Sequence, residues 1–169
     1  MSRPANTEYA AFYETYVGKV SEDDLTTAFR RHTANLLAFL SAIPAQRRDH
    51  AYAPGKWTIR QVLQHMIDAE RVFAYRALNF ARKDPNALPG FDENEFADVA
   101  RVDHREWSDM VEEFQFVRNA SDLFFRSLNE EELARTGVAS GKPVSVRALG
   151  FIMIGHAIHH TEVVKERYL

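Results

Sequence analysis

The amino-acid sequence predicts a single all-α domain, residues 1–169, folded as a four-helix bundle. Two observations predict this fold class. Four long segments carry apolar residues with the period of an α-helix, and no segment alternates apolar and polar residues between turn signals as a half-buried strand does. Four amphipathic helices in a domain of this size must bury their apolar stripes against one another.

The first part of the chain predicts a short helix over residues 8–17 and a first long helix that begins at Ser21 and ends near Pro44. Asp23 and Asp24 would then lie in the first turn of this long helix, where carboxylates interact favourably with the helix dipole. Its inward stripe is formed by Leu25, Phe29, His32, Leu36, Leu40 and Ile43.

Two capping-box patterns predict the starts of the next two helices. Thr58 followed by Gln61 opens the second long helix, which runs to about Arg82, and Asp103 followed by Glu106 opens the third. The apolar stripe of the third helix consists of Trp107, Met110, Val111, Phe114, Val117, Ser121, Phe124 and Leu128.

Ser145 is the predicted start of the fourth helix, which continues to the C-terminus. A long connection, residues 83–102, joins helices 2 and 3, and it contains Pro85, Pro89 and Gly90. Connections of this length in compact bundles are usually functional or allow a crossover. The segment 135–144 is also longer than a tight turn, so simple up-and-down connectivity is not implied.

Composition excludes several kinds of function. The formal net charge is −3 and neither sign is concentrated in a block, so nothing indicates nucleic-acid binding. The chain has no cysteine, which excludes disulfides, thiolate metal ligands and a cysteine nucleophile from this chain. Any thiol chemistry would therefore require that the sulfur be supplied by a small molecule.

The sequence also predicts a cytoplasmic protein that does not enter a membrane. Residues 1–8 lack the basic and then apolar pattern of a signal peptide. The longest apolar run, residues 148–158, is too short to span a bilayer and contains Gly155 and His156.

His156 and His160 are the residues that point most directly to chemistry. They lie four residues apart on the predicted fourth helix, so their Cβ atoms are about 5–6 Å apart and both rings can reach one metal ion. Both lie close to the centre of the apolar face. A single inward histidine is more often a hydrogen-bonded interior residue, whereas an inward pair favours a metal site.

A third ligand must come from another helix, and His65 is the best candidate. It shares a stripe with Val62, Ala69 and Val72 but lies at the edge of the apolar arc of helix 2, so the pattern alone leaves its role open. The glutamate of the His-Glu-x-x-His metalloprotease motif is missing between His156 and His160, so that mechanism is not indicated.

The other polar candidates favour ordinary structural interpretations. His159 points sideways, His32 has no site-forming neighbour in sequence, and His50 and His104 are expected to face water. Asp68 and Glu70 could orient a ligand histidine, but salt bridges to Arg71 or Arg76 explain them more simply. The acidic cluster Asp92, Glu93 and Glu95 is expected to be a solvated loop, and Trp57, Phe73, Tyr75 and Phe80 are expected to be packing residues rather than a substrate cage.

Several segments resemble the DinB/YfiT-like superfamily. They are residues 54–65 (PGKWTIRQVLQH), 69–73 (AERVF), 75–78 (YRAL), 155–160 (GHAIHH) and 163–167 (VVKER). The resemblance covers nearly the whole chain. It implies a four-helix bundle, often a homodimer, in which three histidines bind a divalent zinc, nickel or iron ion. At the matching positions of this sequence, these histidines are His65, His156 and His160.

The resemblance implies several activities and does not select one. Some members of the superfamily resemble S-transferases or isomerases that use low-molecular-weight thiols, and others are described as metal-dependent hydrolases. Three neutral imidazoles would leave the ion its full charge and an open position, which is typical of catalytic sites. The first hypothesis is thiol S-transfer to an electrophilic small molecule, the second is hydrolysis, and the third is non-catalytic binding of metal or ligand. No general acid or base is assigned.

Overall fold

The computed structural model describes residues 1–169 and is dominated by four long helices. The helices in chain order are α1 (Glu14–Val17), α2 (Leu25–Ala42), α3 (Ile59–Ala81), α4 (Glu93–Val99), α5 (Trp107–Arg126), α6 (Glu130–Ala134) and α7 (Val146–Arg167). Short 3-10 turns occupy Asn6–Glu8, Ala11–Tyr13 and Ala45–Arg47. One antiparallel hairpin is formed by β1 (Thr136–Ala139) and β2 (Lys142–Ser145).

The long helices α2, α3, α5 and α7 form the bundle, so the predicted four-helix bundle is confirmed. Helix α7 packs against α3 and α2, and α5 packs against the same two helices. No helix combines the length and apolar character needed to cross a membrane. The site described below lies along the contact between α3 and α7.

The core consists of two apolar clusters with buried polar side chains between them. One cluster contains Phe29, Phe73 and Ile154, and the other contains Leu36, Ile67 and Ala157. The buried polar residues of the long helices are His65, Glu70, Arg76, Arg118, Ser121 and His156. Along α2 and α7, the change from one cluster to the other therefore occurs near the level of the histidines.

Two of the predicted helix starts are confirmed by their hydrogen bonds. The backbone N–H of Gln61 donates to the Thr58 hydroxyl, and the Gln61 side chain accepts from the Thr58 backbone, which completes the capping box of α3. The Ser145 hydroxyl accepts from the backbone N–H of Ala148 at 3.1 Å and caps α7. These local contacts set the register in which the histidines of both helices face the core.

Two other predicted starts are wrong by a few residues. Helix α2 begins after Asp24, whose carboxylate accepts from the backbone N–H of Thr27 at 2.8 Å, rather than at Ser21. Helix α5 begins after Glu106, which makes no side-chain cap, and the carboxylate of Asp103 lies beside the His104 ring. Both helices therefore start three or four residues later than the sequence pattern predicted.

The connections contain structure that the sequence pattern did not predict. Residues 8–17 form turns and the short α1 rather than one helix, because Tyr9 is extended and pairs with Val144 of β2. The strands of the hairpin are only four residues long, too short for a clear alternation, and Ser140 and Gly141 turn between them with φ of 53° and 72°. The long connection contains α4, so the acidic cluster is the capped start of a helix, with Asp92 as its cap, rather than a loop.

Gly155 allows α1 to lie directly against α7. A Cβ atom at this position would be 2.0 Å from the backbone oxygen of Tyr16, which is far inside van der Waals contact. The close approach holds the Tyr16 ring with its centroid 5.4 Å from that of His156. Glycine at position 155 is therefore required by the packing of the backbone beside the site.

Gly155→Ala is expected to lower the free energy of unfolding by about 1–3 kcal/mol, because a backbone atom must move to accept the methyl group. Gly150→Ala is the matched control on the same helix. Its Cβ would meet the methyl groups of Leu25 at 2.7 and 3.1 Å and the Phe125 ring at 3.2 Å, which are ends of side chains rather than backbone atoms. Urea unfolding of both variants checks the prediction, and equal losses of stability would contradict it.

Candidate metal centre

Three histidines converge at the contact between α3 and α7. The Nε2 atom of His156 lies 3.0 Å from Nε2 of His65 and 3.1 Å from Nε2 of His160. One ligand atom from each of the three residues lies within 4.8 Å of the other two. The structure thus brings together all three residues that the sequence and the resemblance selected.

The spacing of these nitrogen atoms fits a single metal ion. An ion bonded to imidazole nitrogens at 2.0–2.1 Å in tetrahedral geometry separates them by about 3.3 Å. The two measured Nε2 separations, 3.0 and 3.1 Å, are close to that value. The third pair, His65 and His160, has ligand atoms within 4.8 Å of each other, so the three side chains are close enough together to hold one ion.

Burial keeps the three imidazoles neutral at physiological pH. It lowers the pKa of His65 from its ordinary value of 6.5 to about 4. Burial, followed by the mutual repulsion of the imidazoles, holds the pKa of His156 and of His160 well below 6.5. Neutral imidazole is the form that binds a metal ion, so no proton has to be displaced near pH 7.

The histidines open into a cavity of about 560 Å³. Aromatic rings surround them: the centroid of Trp57 lies 4.9 Å from that of His65, and that of Phe73 lies 5.6 Å from that of His156. Trp57 and Phe73 pack against the apolar core, as expected, and both also line the cavity. Tyr75 is 58% exposed and lies outside this cavity, and Phe80 is a core residue.

Residues of the N-terminal segment form one wall of the cavity, which sequence reasoning missed. They are Ala10, Phe12, Tyr13 and Tyr16. The hairpin contributes Ser140 and Lys142, and the long connection and α4 contribute Phe91 and Glu93. These segments are distant in sequence from the helices that carry the histidines, and no periodic pattern connects them.

A buried ion pair lies close to the histidines. Arg118 Nη2 of α5 lies 2.8 Å from Glu70 Oε2, and both side chains are at most 2% exposed. Burial raises the pKa of the Glu70 carboxyl, and the guanidinium of Arg118 opposes this rise. The predicted partners of Glu70, Arg71 or Arg76, are wrong. Asp68 accepts a hydrogen bond from Gln64 and lies 4.0 Å from Arg71.

The remaining histidines lie outside the trio. The ring of His159 packs edge-on against those of Tyr16 and His160, so it borders the cavity from the side. His32 contacts Glu22 at 2.8 Å, an ion-pair partner that sequence reasoning did not find. His104 is exposed, as expected, whereas His50 is partly buried against Tyr168.

These features define a helical bundle with a buried cluster of three histidines that opens into a cavity. The sequence profile of the DinB superfamily matches residues 28–164, which is most of the chain. The chain therefore belongs to the DinB superfamily.

The fold is also similar to that of a solved bacterial protein. The chain is similar to YfiT from Bacillus subtilis, with a TM-score of 0.75 and 17% identity over 84% of this chain and 82% of that one. YfiT is described as a probable metal-dependent hydrolase with an unusual four-helix bundle topology. No curated protein matches the sequence significantly. At this identity, the likeness to YfiT shows a shared fold.

The lowered pKa values predict a pH dependence of the metal-free protein. His65 titrates near pH 4 when folded and near 6.5 when unfolded, so between these values the unfolded chain binds more protons. The contribution of His65 to the free energy of unfolding is therefore complete above pH 6.5 and is lost as the pH falls towards 4. His156 and His160 act in the same direction. Urea unfolding at pH 7.0, 6.0 and 5.0 checks this.

His65→Gln is expected to flatten this decline, since it removes one of the shifted groups. Burial raises the pKa of Asp68 and of Glu70 in the folded protein, which acts in the opposite direction, so the difference between His65→Gln and the native protein isolates the contribution of the histidine. The same pH dependence in His65→Gln and in the native protein would contradict the burial argument.

Proposed function

We propose that His65, His156 and His160 bind one divalent metal ion and that the protein is a metal-dependent enzyme. The observation that carries the proposal is the convergence of three neutral Nε2 atoms, 3.0 and 3.1 Å apart, at the end of an open cavity. The description of YfiT as a probable metal-dependent hydrolase supports it. Zinc, nickel and iron are the candidate ions, since imidazole suits each of them.

The protein residues determine how the centre would work. A divalent ion on three neutral imidazoles keeps its full charge and lowers the pKa of a water or thiol that binds beside it. His65, His156 and His160 would hold the ion, and the rings of Trp57 and Phe73 pack against those of His65 and His156. No carboxylate hydrogen-bonds to the three histidines, so no side chain is placed as general base on them.

The favoured reaction is transfer of a low-molecular-weight thiol to an electrophilic small molecule. A free thiol has a pKa near 8.5, so it needs only a small further lowering to ionise at pH 7 and can react without a general base. The chain has no cysteine, so this sulfur would come from the cosubstrate. The cavity volume of about 560 Å³ lies in the range of small-molecule sites.

Hydrolysis is the second candidate, and the description of YfiT is the observation that favours it. In that reaction a water would take the place of the thiol. A non-catalytic role in metal or ligand binding is the third alternative. The cytoplasmic location and the homodimer stay predictions. Exposed apolar side chains on α3 and α5, namely Tyr75, Leu78, Phe116 and Leu123, provide a surface for a second copy.

His160→Ala is expected to abolish stoichiometric metal binding, since it removes one of three ligands, while the helical content changes little. His159→Ala is the matched control: its ring is adjacent to that of His160 but is not one of the three that converge. Elemental analysis and circular dichroism of both variants check this. Unchanged metal content in His160→Ala would overturn the assignment of the site.

Turnover distinguishes the three candidate functions. The metal-loaded protein is expected to consume one or more members of a panel of low-molecular-weight thiols paired with electrophiles, and to lose this activity with a modest loss of stability when the ion is chelated. Product formation followed by mass spectrometry checks this. Turnover of esters or amides without any thiol would favour hydrolysis. A large fall in melting temperature on chelation, with no turnover before it, would indicate a structural ion.

A further inference from the structure

Arg76 lies at the opposite end of the cavity from the histidines. His65, Ala69, Phe73 and Arg76 are spaced four, four and three residues apart on α3, so they share one face of the helix, and all four line the cavity. Eleven residues at 1.5 Å per residue separate the Cα atoms of His65 and Arg76 by about 16 Å. The floor of the cavity thus has imidazoles at one end and a guanidinium at the other.

Arg76 is buried without a carboxylate partner. Its side chain is 3% exposed, and both of its hydrogen bonds come from Nη2, to the Pro89 backbone oxygen and to the Ser140 hydroxyl at 2.9 Å each. By contrast, the equally buried Arg118 is paired with Glu70. A buried charge without an opposite charge is costly, so its presence needs an explanation.

The unused donors of Arg76 are accessible from the cavity. A guanidinium has five N–H donors, and Nε and Nη1 take no part in the bonds to Pro89 and Ser140. Neither atom is among the buried nitrogen atoms that lack a partner, so both retain contact with solvent. The Tyr13 phenol lies beside the guanidinium and opposes the lowering of its pKa by burial.

A purely structural role does not account for the charge. Arg76 connects the segment after α3 with the hairpin, but two backbone hydrogen bonds already do so. Leu88 donates to the Val138 oxygen at 2.9 Å, and Ser140 donates to the Leu88 oxygen at 3.1 Å. A neutral side-chain amide could donate the two bonds that Nη2 makes, without the cost of a buried charge.

The charges at the cavity mouth do not neutralise Arg76. Lys142 and Glu93 both line the cavity, both are exposed, and they carry opposite charges. Glu93 acts on Tyr16, whose pKa it helps burial to raise. The one deeply buried charge on the cavity wall is therefore the positive charge of Arg76.

We infer that Arg76 and Ser140 form a binding subsite for an oxyanion, a carboxylate or a phosphate. The substrate of the cavity is then an elongated small molecule whose anionic group binds at Arg76 while its reacting atom lies near the histidines, a placement that rests on the proposed function. A guanidinium suits this ligand class because its planar donors match the two oxygens of a carboxylate or phosphate. Arg76 is a specificity-determining residue and takes no part in the reaction itself.

Binding of inorganic phosphate and of succinate to the metal-free protein tests the inference. The metal-free protein is prepared with a chelator. The chelator is itself a polycarboxylate, so it has to be dialysed away before the titration. Arg76→Gln is expected to weaken binding of the preferred anion by about tenfold or more, the effect of losing a charged hydrogen bond. Titration calorimetry measures the affinities, and the ratio of the two affinities distinguishes a phosphate subsite from a carboxylate one.

Arg82→Gln is the matched control, since Arg82 caps the same helix, is exposed and lies outside the cavity. It should leave anion affinity unchanged. If Arg76→Gln fails to fold, NMR shifts of the native protein give a second test, because anion-induced changes should centre on the backbone amides of Ser140 and Lys142. Shifts centred elsewhere, equal affinity in Arg76→Gln, or no binding of either anion would overturn the inference.

The two proposals fail separately. Loss of anion binding in Arg76→Gln combined with absence of metal from the native protein would support the subsite and overturn the metal site. Metal bound at the histidines, with neither anion binding to the native protein, would support the metal site and overturn the subsite.

Discussion

Three largely buried imidazoles converge at the contact between α3 and α7, and this constraint organises the bundle. Burial lowers their pKa values and keeps the rings uncharged. No ion pair therefore offsets the cost of placing these polar rings in the core. Apolar clusters lie on both sides of this region and fix the distance between α3 and α7. The same packing that stabilises the fold therefore sets the separation of the Nε2 atoms, and a cation is the partner that suits three converging lone pairs.

The two buried arginines of the bundle differ in their partners. Arg118 is neutralised by Glu70, and removing one member of such a pair typically costs 3–5 kcal/mol because the other is left uncompensated. This pair lies in the core and outside the cavity of the histidines. Arg76 has no such partner and faces the cavity. The charge of Arg118 is thus used within the fold, whereas that of Arg76 remains available to a ligand.

The sequence predicted the parts of the molecule that depend on local pattern. Periodicity predicted the four long helices, and the capping box at Thr58 predicted the start of α3 to the residue. The three histidines were selected because helical spacing and the family resemblance agreed. Contacts between distant segments carried no such signal. Glu70 of α3 pairs with Arg118 of α5. Arg76 donates to Ser140 of a hairpin whose strands are too short to show alternation. These pairings arise only when the helices pack.

The N-terminal wall of the cavity has a consequence for how such proteins diversify. The profile of the superfamily matches residues 28–164, which include all three histidines and Arg76. Phe12, Tyr13 and Tyr16 precede that range, yet they face the same cavity. Phe12 and Tyr13 lie in a 3-10 turn and Tyr16 in the short α1, and glycine at position 155 provides the gap that receives the backbone of Tyr16. A different leading segment could thus reshape what the pocket admits while the inner coordinating residues, and the framework that aligns them, stay as they are.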